Sequence, residues 1–379
     1  MAVLGSTGSI GQNALEVIAA SEGRLRCVAL SAHRRTELLL EQARRFRPPV
    51  VVLTDAEKAT SAWRDQLPAG TELLLGPSAV AQVVRDPQVD VVLAAVVGAA
   101  GLLGTWEAVQ AGKTVALANK ESLVAAGELI TRAARQSGAC VLPVDSEHSG
   151  LFQAMQAGRR EEVQRLILTA SGGPFLHTPL EELPRVSVQQ ALQHPTWQMG
   201  RKITVDSATM MNKALEVVEA RWLFDLEPER IEVLIHPQSM IHALVEFVDG
   251  SVLAQVSPPD MKLPIQYALY YPHRVWGVAA RVDWARHWHW ELRPPDPRRF
   301  PALELGHQVA ARGGTAGAVL NAANEVAVER FLQGEIRFTD IVPLCRAVLE
   351  SHAFESQIDL QTILRLDRWA REEARRWKA

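Results

Sequence analysis

MAVLGSTGSIGQNALEVIAA, residues 1–20, is the stretch on which the reading of the fold turns. A short apolar run from Met1 to Leu4 ends at Gly5, and glycines recur at Gly8 and Gly11 before a helical pattern from Asn13 to Ala20. Strand, glycine turn and helix in that order give a glycine motif its weight. Glycines let the backbone turn sharply and approach a pyrophosphate, whose charge then rests on the helix N-terminus. The spacing is G-x-x-G-x-x-G rather than G-x-G-x-x-G, so taken alone these glycines also read as a plain tight turn.

Outward from this start, further strands are expected at Arg26–Ser31, Val50–Leu53, Glu72–Leu75, Val89–Ala95 and Thr114–Leu117, with helical patterns between them. The run from Val91 to Val97 is continuously apolar, as a parallel strand buried on both faces requires. Alternation of this kind argues a doubly wound sheet, with its ligand at the carboxyl ends of the strands. Gly98 to Gly101 and Ala118 to Glu121 fall at such ends. Lys120 there aims a cation at the cleft, or caps a helix together with Glu121.

An NAD enzyme places an acid about 20 residues past the glycines, on the ribose hydroxyls. This chain instead reads Ser31, Ala32, His33, Arg34, Arg35. Two guanidinium groups without an acid suit a 2′-phosphate, which favours NADPH over NADH. Either arginine alone would read as a solvated charge at a helix start.

The middle of the chain carries candidate chemistry. After the strand Cys140–Val144 come Asp145, Ser146, Glu147 and His148. Two carboxylates at i and i+2 can converge on a hard cation, and the lack of cysteine favours Mg²⁺ or Mn²⁺ over structural zinc. N-capping explains the same residues equally well, and His148 reads as a packed residue. Ser171-Gly172-Gly173 follows the apolar strand Val163–Thr169 and forms either an anion nest or an empty turn. In HPTWQMGRKITVDSATMMNKALEVVE, residues 194–219, Asp206 or Ser207 is expected to cap a helix carrying Asn212, Lys213 and Glu216. Asn212 and Glu216 stand at i,i+4 and share a face, so one helix offers phosphate donors near its positive end and a carboxylate one turn further in. The segment before it, with Gly200 and exposed-looking Trp197 and Met199, reads as a lid loop. Met210 and Met211 read as core.

Composition sets limits. At 379 residues, with 47% hydrophobic and 22% charged residues and a formal net charge of −3, the chain reads as a globular protein of two or three domains. No basic run has interleaved aromatics, so nucleic acid is not an expected partner. Cys27, Cys140 and Cys345 are far apart in apolar surroundings and read as reduced core thiols. No basic-then-apolar leader is visible, and no apolar run reaches the ~20 residues that span a bilayer. The expectation is a cytoplasmic protein with no membrane partner.

The blocks GSTGSIG, LANKESLV, DSEHS, SGGPF, HPTWQMGRKITVDSATMMNKALE, HPQSMIH and PPDMKLPIQYAL, in this order, resemble the 1-deoxy-D-xylulose 5-phosphate reductoisomerase family along essentially the whole chain. That family rearranges 1-deoxy-D-xylulose 5-phosphate to a branched aldehyde phosphate. NADPH then reduces it to 2-C-methyl-D-erythritol 4-phosphate, the committed step of the non-mevalonate isoprenoid pathway. The resemblance implies Asp145, Glu147 and Glu216 as ligands of Mg²⁺, Mn²⁺ or Co²⁺. It implies Ser171, Ser207, Asn212 and Lys213 around the phosphate, and His194 beside the substrate. Ser146 and Lys120 fall at its hydroxyl and carbonyl end, and Trp197 on the closing loop. Thr7, Gly8, Ser9, Ile10, Asn119, Glu121 and Gly200 are implied on NADPH. Many relatives carry Gly-Lys-Asn-like residues where this chain has His33, Arg34 and Arg35; the positive charge is kept.

The fold class implied is α/β: an N-terminal Rossmann-like doubly wound parallel sheet, a central α/β catalytic and dimerisation domain, and a C-terminal helical bundle. The expected divisions are 1–145 for NADPH, 146–275 for metal, substrate and dimer contact, a linker at 276–301, and a helical domain at 302–379. A homodimer follows from the resemblance alone. Two rivals stand beside this reading. A homoserine dehydrogenase-like enzyme would share the Ala-Asn-Lys sequence after a strand, but does not require DSEHS, Glu216 or the donors from Ser207 to Lys213. A non-catalytic NADPH-binding sensor would keep the fold without needing the ligands.

Overall fold

A computed structural model describes residues 1–197 and 199–378. The chain forms two compact units. The first comprises Met1–Asn119, Ile130–Ser149 and Asp260–Ala280, and the second Lys120–Leu129, Gly150–Pro259 and Arg281–Ala379.

In the first unit seven strands form one sheet: β1 Ala2–Leu4, β2 Ala29–Ala32, β3 Val50–Leu53, β4 Glu72–Leu75, β5 Val91–Ala94, β6 Thr114–Leu117 and β7 Cys140–Pro143. Their spatial order is β4-β3-β2-β1-β5-β6-β7, and every pairing is parallel. Val3, Leu30, Val52, Leu93 and Ala116 have no exposed surface, so the middle of the sheet is covered on both faces. Each fully buried leucine or valine there contributes about 1.5–3 kcal/mol. The winding reverses between β1 and β5, which makes the carboxyl ends of those two strands the switch point. Helices α1 Ser9–Ala19, α2 Thr36–Phe46, α3 Ser61–Arg64, α4 Ser78–Arg85 and α5 Leu102–Gln110 connect the strands.

The glycine stretch folds as the motif requires. Gly5 turns with φ +79°, and a Cβ there would stand 2.6 Å from the Ala95 carbonyl oxygen just past β5. The Gly8 amide donates to the Gly5 carbonyl at 3.0 Å, and Gly8 is the N-cap of α1. Helix α1 therefore begins at Ser9, four residues before the helical pattern becomes visible in sequence, because Ile10 and Gly11 belong to its first turn. Strand β2 likewise starts later than expected, at Ala29. Arg26 instead uses its carbonyl to accept from the Met1 ammonium at 2.8 Å.

Helices α6 Lys120–Ser137 and α7 Ser146–Ala154 each pass from one unit to the other. Helix α6 carries a non-helical Ala126 at φ −140°, ψ 27°.

The second unit holds a mixed four-stranded sheet of β8 Val163–Ala170, β9 Ile231–Ile235, β10 Ile241–Phe247 and β11 Val252–Val256, in the order β11-β10-β8-β9. Its β10–β11 hairpin turns at Asp249-Gly250, with Gly250 at φ +87°. Helices α8 Val188–Ala191, α9 Arg201–Thr209 and α10 Met211–Phe224 lie between β8 and β9. After the first unit's helix α11, Lys262–Tyr270, come α12 Ala302–Arg312, α13 Ala316–Leu332, α14 Ile341–Ser351 and α15 Leu360–Arg376. Helix α13 is buried nearly all round, from Ala316 to Phe331, and is the centre of the C-terminal bundle. Its first turn sits so close to α6 that a Cβ on Gly317 would run into the Val124 carbonyl oxygen. Residues 281–293 run irregularly over the sheet, where Trp290 packs against Ile167, Ile241 and Leu244.

The cysteines are free, but only two are core thiols. Cys140 is exposed, because it opens β7 at the edge of the first sheet. Burial pushes the Cys27 thiol up to about 12 and raises Cys345, and desolvation raises Cys140 too, so exposure is what sets Cys140 apart. An alkylating agent at about pH 8 needs thiolate and access. Mass spectrometry of the native protein should therefore find Cys140 modified and Cys27 and Cys345 protected until denaturation; early labelling of Cys27 would contradict the packing.

Candidate active site

In the first unit the implied cofactor residues gather at the sheet's carboxyl ends. Thr7, Gly8, Ser9 and Ile10 form the turn between β1 and α1. His33, Arg34 and Arg35 follow β2. Arg35 donates from Nη1 to the Thr7 carbonyl at 3.1 Å, which ties the arginine loop to the glycine loop. His33 Nδ1 lies 3.0 Å from Thr54 Oγ1. Arg34 Nε stands 2.8 Å from Asp55 Oδ2, and this hydrogen bond holds the Asp55 carboxyl below its ordinary range. Asp55, two residues past β3, is thus the partner of Arg34, a pairing that sequence reading missed. Asn119 donates from Nδ2 to the carbonyls of Val96 at 2.7 Å and Gly98 at 3.0 Å, so its amide clamps the turns after β5 and β6.

Asp145, Ser146, Glu147 and His148 also belong to this unit, at the end of β7 and the start of α7. Ser146 Oγ donates to the Glu147 carboxylate. His148 is fully buried with Nδ1 3.9 Å from Asp145 Oδ2, as a packed histidine should be.

The second unit assembles two further groups. Glu216 has no exposed surface. Lys120 Nζ is 3.0 Å from its Oε1, Asn212 Nδ2 donates to the same oxygen at 2.5 Å, and Lys213 pairs with Oε2. Lys120 also donates to Asn212 Oδ1 at 2.8 Å. An isolated buried carboxylate would be costly, and the two ammonium groups offset that cost. Lys120 therefore does more than cap α6.

The other group centres on His194. Its Nδ1 accepts from the backbone amides of Thr196 at 3.2 Å and Trp197 at 2.9 Å. A neutral ring so engaged carries its proton on Nε2. That Nε2 lies 3.0 Å from Ser171 Oγ and 3.1 Å from Ser207 Oγ. Gly172 and Gly173 are both left-handed, at φ +84° and +67°, and a Cβ on Gly173 would stand 2.9 Å from Ser207 O. The glycine turn is thereby pressed against α9, and the Gly173 amide donates to Ser171 Oγ at 3.2 Å.

Two expectations for this region are corrected. Neither Asp206 nor Ser207 caps the helix bearing Glu216. Both lie within α9, which ends at Met210 in a left-handed conformation (φ 61°) from which α10 starts. Asp206 is unavailable as a cap because it is buried between Lys202, 3.0 Å away, and Asn324, which donates to it at 2.8 Å. Asn212 and Lys213 remain in the first turn of α10, as expected, and Met210 and Met211 are buried core. Trp197 and Met199 are half-buried rather than exposed. Trp197 stands edge-on to His242 with ring centroids 6.2 Å apart, and Thr196 Oγ1 is 3.3 Å from Ser239 Oγ. The loop thus rests on the turn between β9 and β10. Gln198, inside that loop, lies outside the described residues. His242 and Ser239 were missed as site neighbours, although the block HPQSMIH contains both.

Family models match residues 1–127 as 1-deoxy-D-xylulose 5-phosphate reductoisomerase, 141–224 as its C-terminal domain, and 256–373 as DXP reductoisomerase C-terminal domain. The chain belongs to the 1-deoxy-D-xylulose 5-phosphate reductoisomerase family. The reductoisomerase of Thermomicrobium roseum is 50% identical over 99% of this chain and 96% of its own length. That of Rhodopirellula baltica is 48% identical over 99% and 94%. Among solved reductoisomerases, the Zymomonas mobilis enzyme in complex with NADPH superimposes with TM-score 0.92 at 41% identity, covering 98% of this chain and 97% of its own. Another, in complex with NADPH, fosmidomycin and magnesium, gives TM-score 0.93 at 40% identity, covering 99% and 97%.

Proposed function

We propose that this chain converts 1-deoxy-D-xylulose 5-phosphate to 2-C-methyl-D-erythritol 4-phosphate with NADPH and a divalent metal ion, and that its site residues take the roles implied by the family. The observation that carries the reading is the set around Glu216: a buried carboxylate with Lys120, Asn212 and Lys213 on its two oxygens. Two ammonium groups and an amide gathered at one place suit an anionic, oxygen-rich substrate. The hard oxygen donors Asp145, Glu147 and Glu216 suit Mg²⁺, Mn²⁺ or Co²⁺ and offer nothing to a soft metal. When bound there, the ion supplies Lewis-acid polarisation of substrate oxygens.

The remaining work falls to the protein. Ser171, Ser207, Asn212 and Lys213 hold the phosphate, with His194 donating from Nε2 towards it. Remote binding of this kind orients the reacting carbons and draws the loop of Trp197 over them. Lys120 and Ser146 hold the carbonyl and hydroxyl end. Thr7, Gly8, Ser9, Ile10, Asn119, Glu121 and Gly200 take NADPH, and His33, Arg34 and Arg35 its 2′-phosphate. In this reading residues 1–145 serve the cofactor, 146–275 the metal, substrate and dimer contact, 276–301 link, and 302–379 support. No helix among the described residues is long and apolar enough to cross a membrane. Action in the cytoplasm, without a nucleic-acid partner, is part of the same proposal.

Turnover is the direct test. Loss of NADPH absorbance should require both 1-deoxy-D-xylulose 5-phosphate and Mn²⁺, stop on chelation, and be blocked by fosmidomycin. Folded protein that binds NADPH without turnover would favour the dehydrogenase or sensor readings instead.

A homodimer is part of the proposal. Strand β11 is a sheet edge, and Val252 and Leu253 on it are 49% and 40% exposed. An unblunted apolar edge suits pairing with a second copy. Leu253→Arg should shift the sedimentation coefficient of the native protein from dimer to monomer; an unchanged value would place the contact elsewhere.

A further inference from the structure

Lys202 is a half-buried charge that the catalytic assignments leave unused. It sits in the first turn of α9, two residues past Gly200, the N-cap of that helix and the end of the loop that carries Trp197. A cation is misplaced at the positive end of a helix dipole. Two carboxylates hold it there: its Nζ lies 3.0 Å from Glu121 Oε1 and 3.0 Å from Asp206 Oδ2. Both acids are nearly inaccessible, at 8% and 1% side-chain exposure. Asp206 is fixed in turn by Asn324 of α13, itself fully buried. Glu121 directly follows Lys120, whose ammonium grips Asn212 and Glu216. One ammonium thus joins the root of the Trp197 loop to the turn that presents Lys120 and to the central helix of the bundle.

The electrostatics agree with a permanent tie. Burial disfavours the Lys202 ammonium, but Asp206, Glu121 and Glu325 outweigh burial and hold it above its ordinary value. Burial would likewise raise the Glu121 carboxyl, yet Lys202 keeps it below its ordinary range.

We propose that Lys202 is a positioning residue, anchoring the C-terminal root of the Trp197 loop to the Lys120–Glu121 turn so that closure of the loop and placement of Lys120 act together. The proposal rests on the reading of residues 194–200 as a closing loop over the sugar phosphate. A solid anchor holds the root of the loop and the Lys120 turn in one geometry; a loosened one misplaces both, and misplacement by about 1 Å can cost about 10²-fold in rate.

Lys202→Met and Lys202→Arg separate this role from plain structural support. Arg201, just outside the anchor, is exposed, so trypsin cleavage after it reports how firmly the root is held. In Lys202→Met, cleavage at Arg201 should speed up about tenfold, as expected for a tie whose loss raises local opening. KM for the sugar phosphate should rise and kcat fall together, as they do for hinge residues, while the NADPH dissociation constant stays within about threefold. Lys202→Arg, which keeps the charge between the same carboxylates, should restore both readouts. Faster cleavage with unchanged kinetic constants would mean that the root is anchored but the loop does not close over substrate, and would overturn the positioning role. Unchanged cleavage and unchanged kinetics would overturn the anchor itself. If Lys202→Met does not fold, Glu121→Gln tests the same tie from its other end: wild-type cleavage at Arg201 in that variant would sink the proposal.

Discussion

Glu216→Gln is expected to abolish metal-dependent turnover while leaving NADPH binding intact. The carboxylate is fully buried and engaged by Lys120, Lys213 and Asn212, so a neutral amide removes a negative charge that both ammonium groups contact. It also removes a hard anionic ligand for the ion. Loss of Lewis-acid assistance is worth several kcal/mol of barrier, so kcat should fall by about 10³-fold or more. Stability should fall too, because breaking a buried pair costs about 3–5 kcal/mol when the partner charge is left behind. The two effects are separable. Mn²⁺ at about 100 times its dissociation constant stabilises whatever folded form binds it by about 2.7 kcal/mol. Wild-type protein should therefore melt higher with Mn²⁺, and the variant should not respond. NADPH titration should give a dissociation constant within about twofold of wild type, because independent sites couple by ~0.5 kcal/mol or less. Equal loss of metal response and NADPH affinity would sink the division of roles; retained turnover would sink Glu216 as a ligand.

How far the sequence disclosed these features varies with the physics behind each. The strands Val50–Leu53, Glu72–Leu75 and Thr114–Leu117 match to the residue, because short apolar runs between turn residues leave few alternatives in a parallel sheet. The start of α1 does not, since Ser9 and Gly11 leave a single apolar residue, Ile10, in its first turn, too little to show a helical period. The α9–α10 junction was misread for a related reason. Asp206 and Ser207 have the chemistry of caps, and only the tertiary contacts of Asp206 with Lys202 and Asn324 show it to be a buried helix-interior residue. A left-handed methionine at the break has no sequence signal at all. In the site, Asn212 and Glu216 could be paired from helical spacing alone, and the structure keeps them together. The pairing of Lys120 with Glu216 spans 96 residues, and that of Arg34 with Asp55 spans 21. Neither has a local pattern, because only the tertiary fold brings these residues together.

The second large effect is expected at Gly11. Helix propensity alone predicts that Gly11→Ala stabilises the protein, because alanine is favoured over glycine by about 1 kcal/mol in a helix interior. Packing predicts the opposite. A Cβ at this position would stand 2.5 Å from Ser6 Cα and 2.6 Å from the Ser6 carbonyl oxygen, and would also strike the Gly5 carbonyl. These are backbone atoms of the very turn that must lie against a pyrophosphate, so they cannot give way as a flexible side chain would. Overpacking costs about 1–3 kcal/mol and sometimes more, which outweighs the propensity gain. The turn should shift, pulling the Thr7 carbonyl from Arg35 and the Gly8 amide from its hydrogen bond to Gly5. An affinity loss of about 10–100-fold for NADPH corresponds to ~1.4–2.7 kcal/mol, well within that range. Gly8→Ala separates the two causes: within the protein its Cβ would meet only the Gly5 carbonyl oxygen, at 3.3 Å, so it should melt close to wild type, and any affinity it loses reports the Cβ against the cofactor itself. Fluorescence titration of NADPH with both variants, beside their melting curves with and without Mn²⁺, decides the matter. Gly11→Ala should weaken NADPH while keeping the melting response to Mn²⁺, the mirror image of Glu216→Gln. An unchanged NADPH affinity would mean that the glycine turn is only a turn, and that the cofactor is held by other parts of the sheet's carboxyl edge.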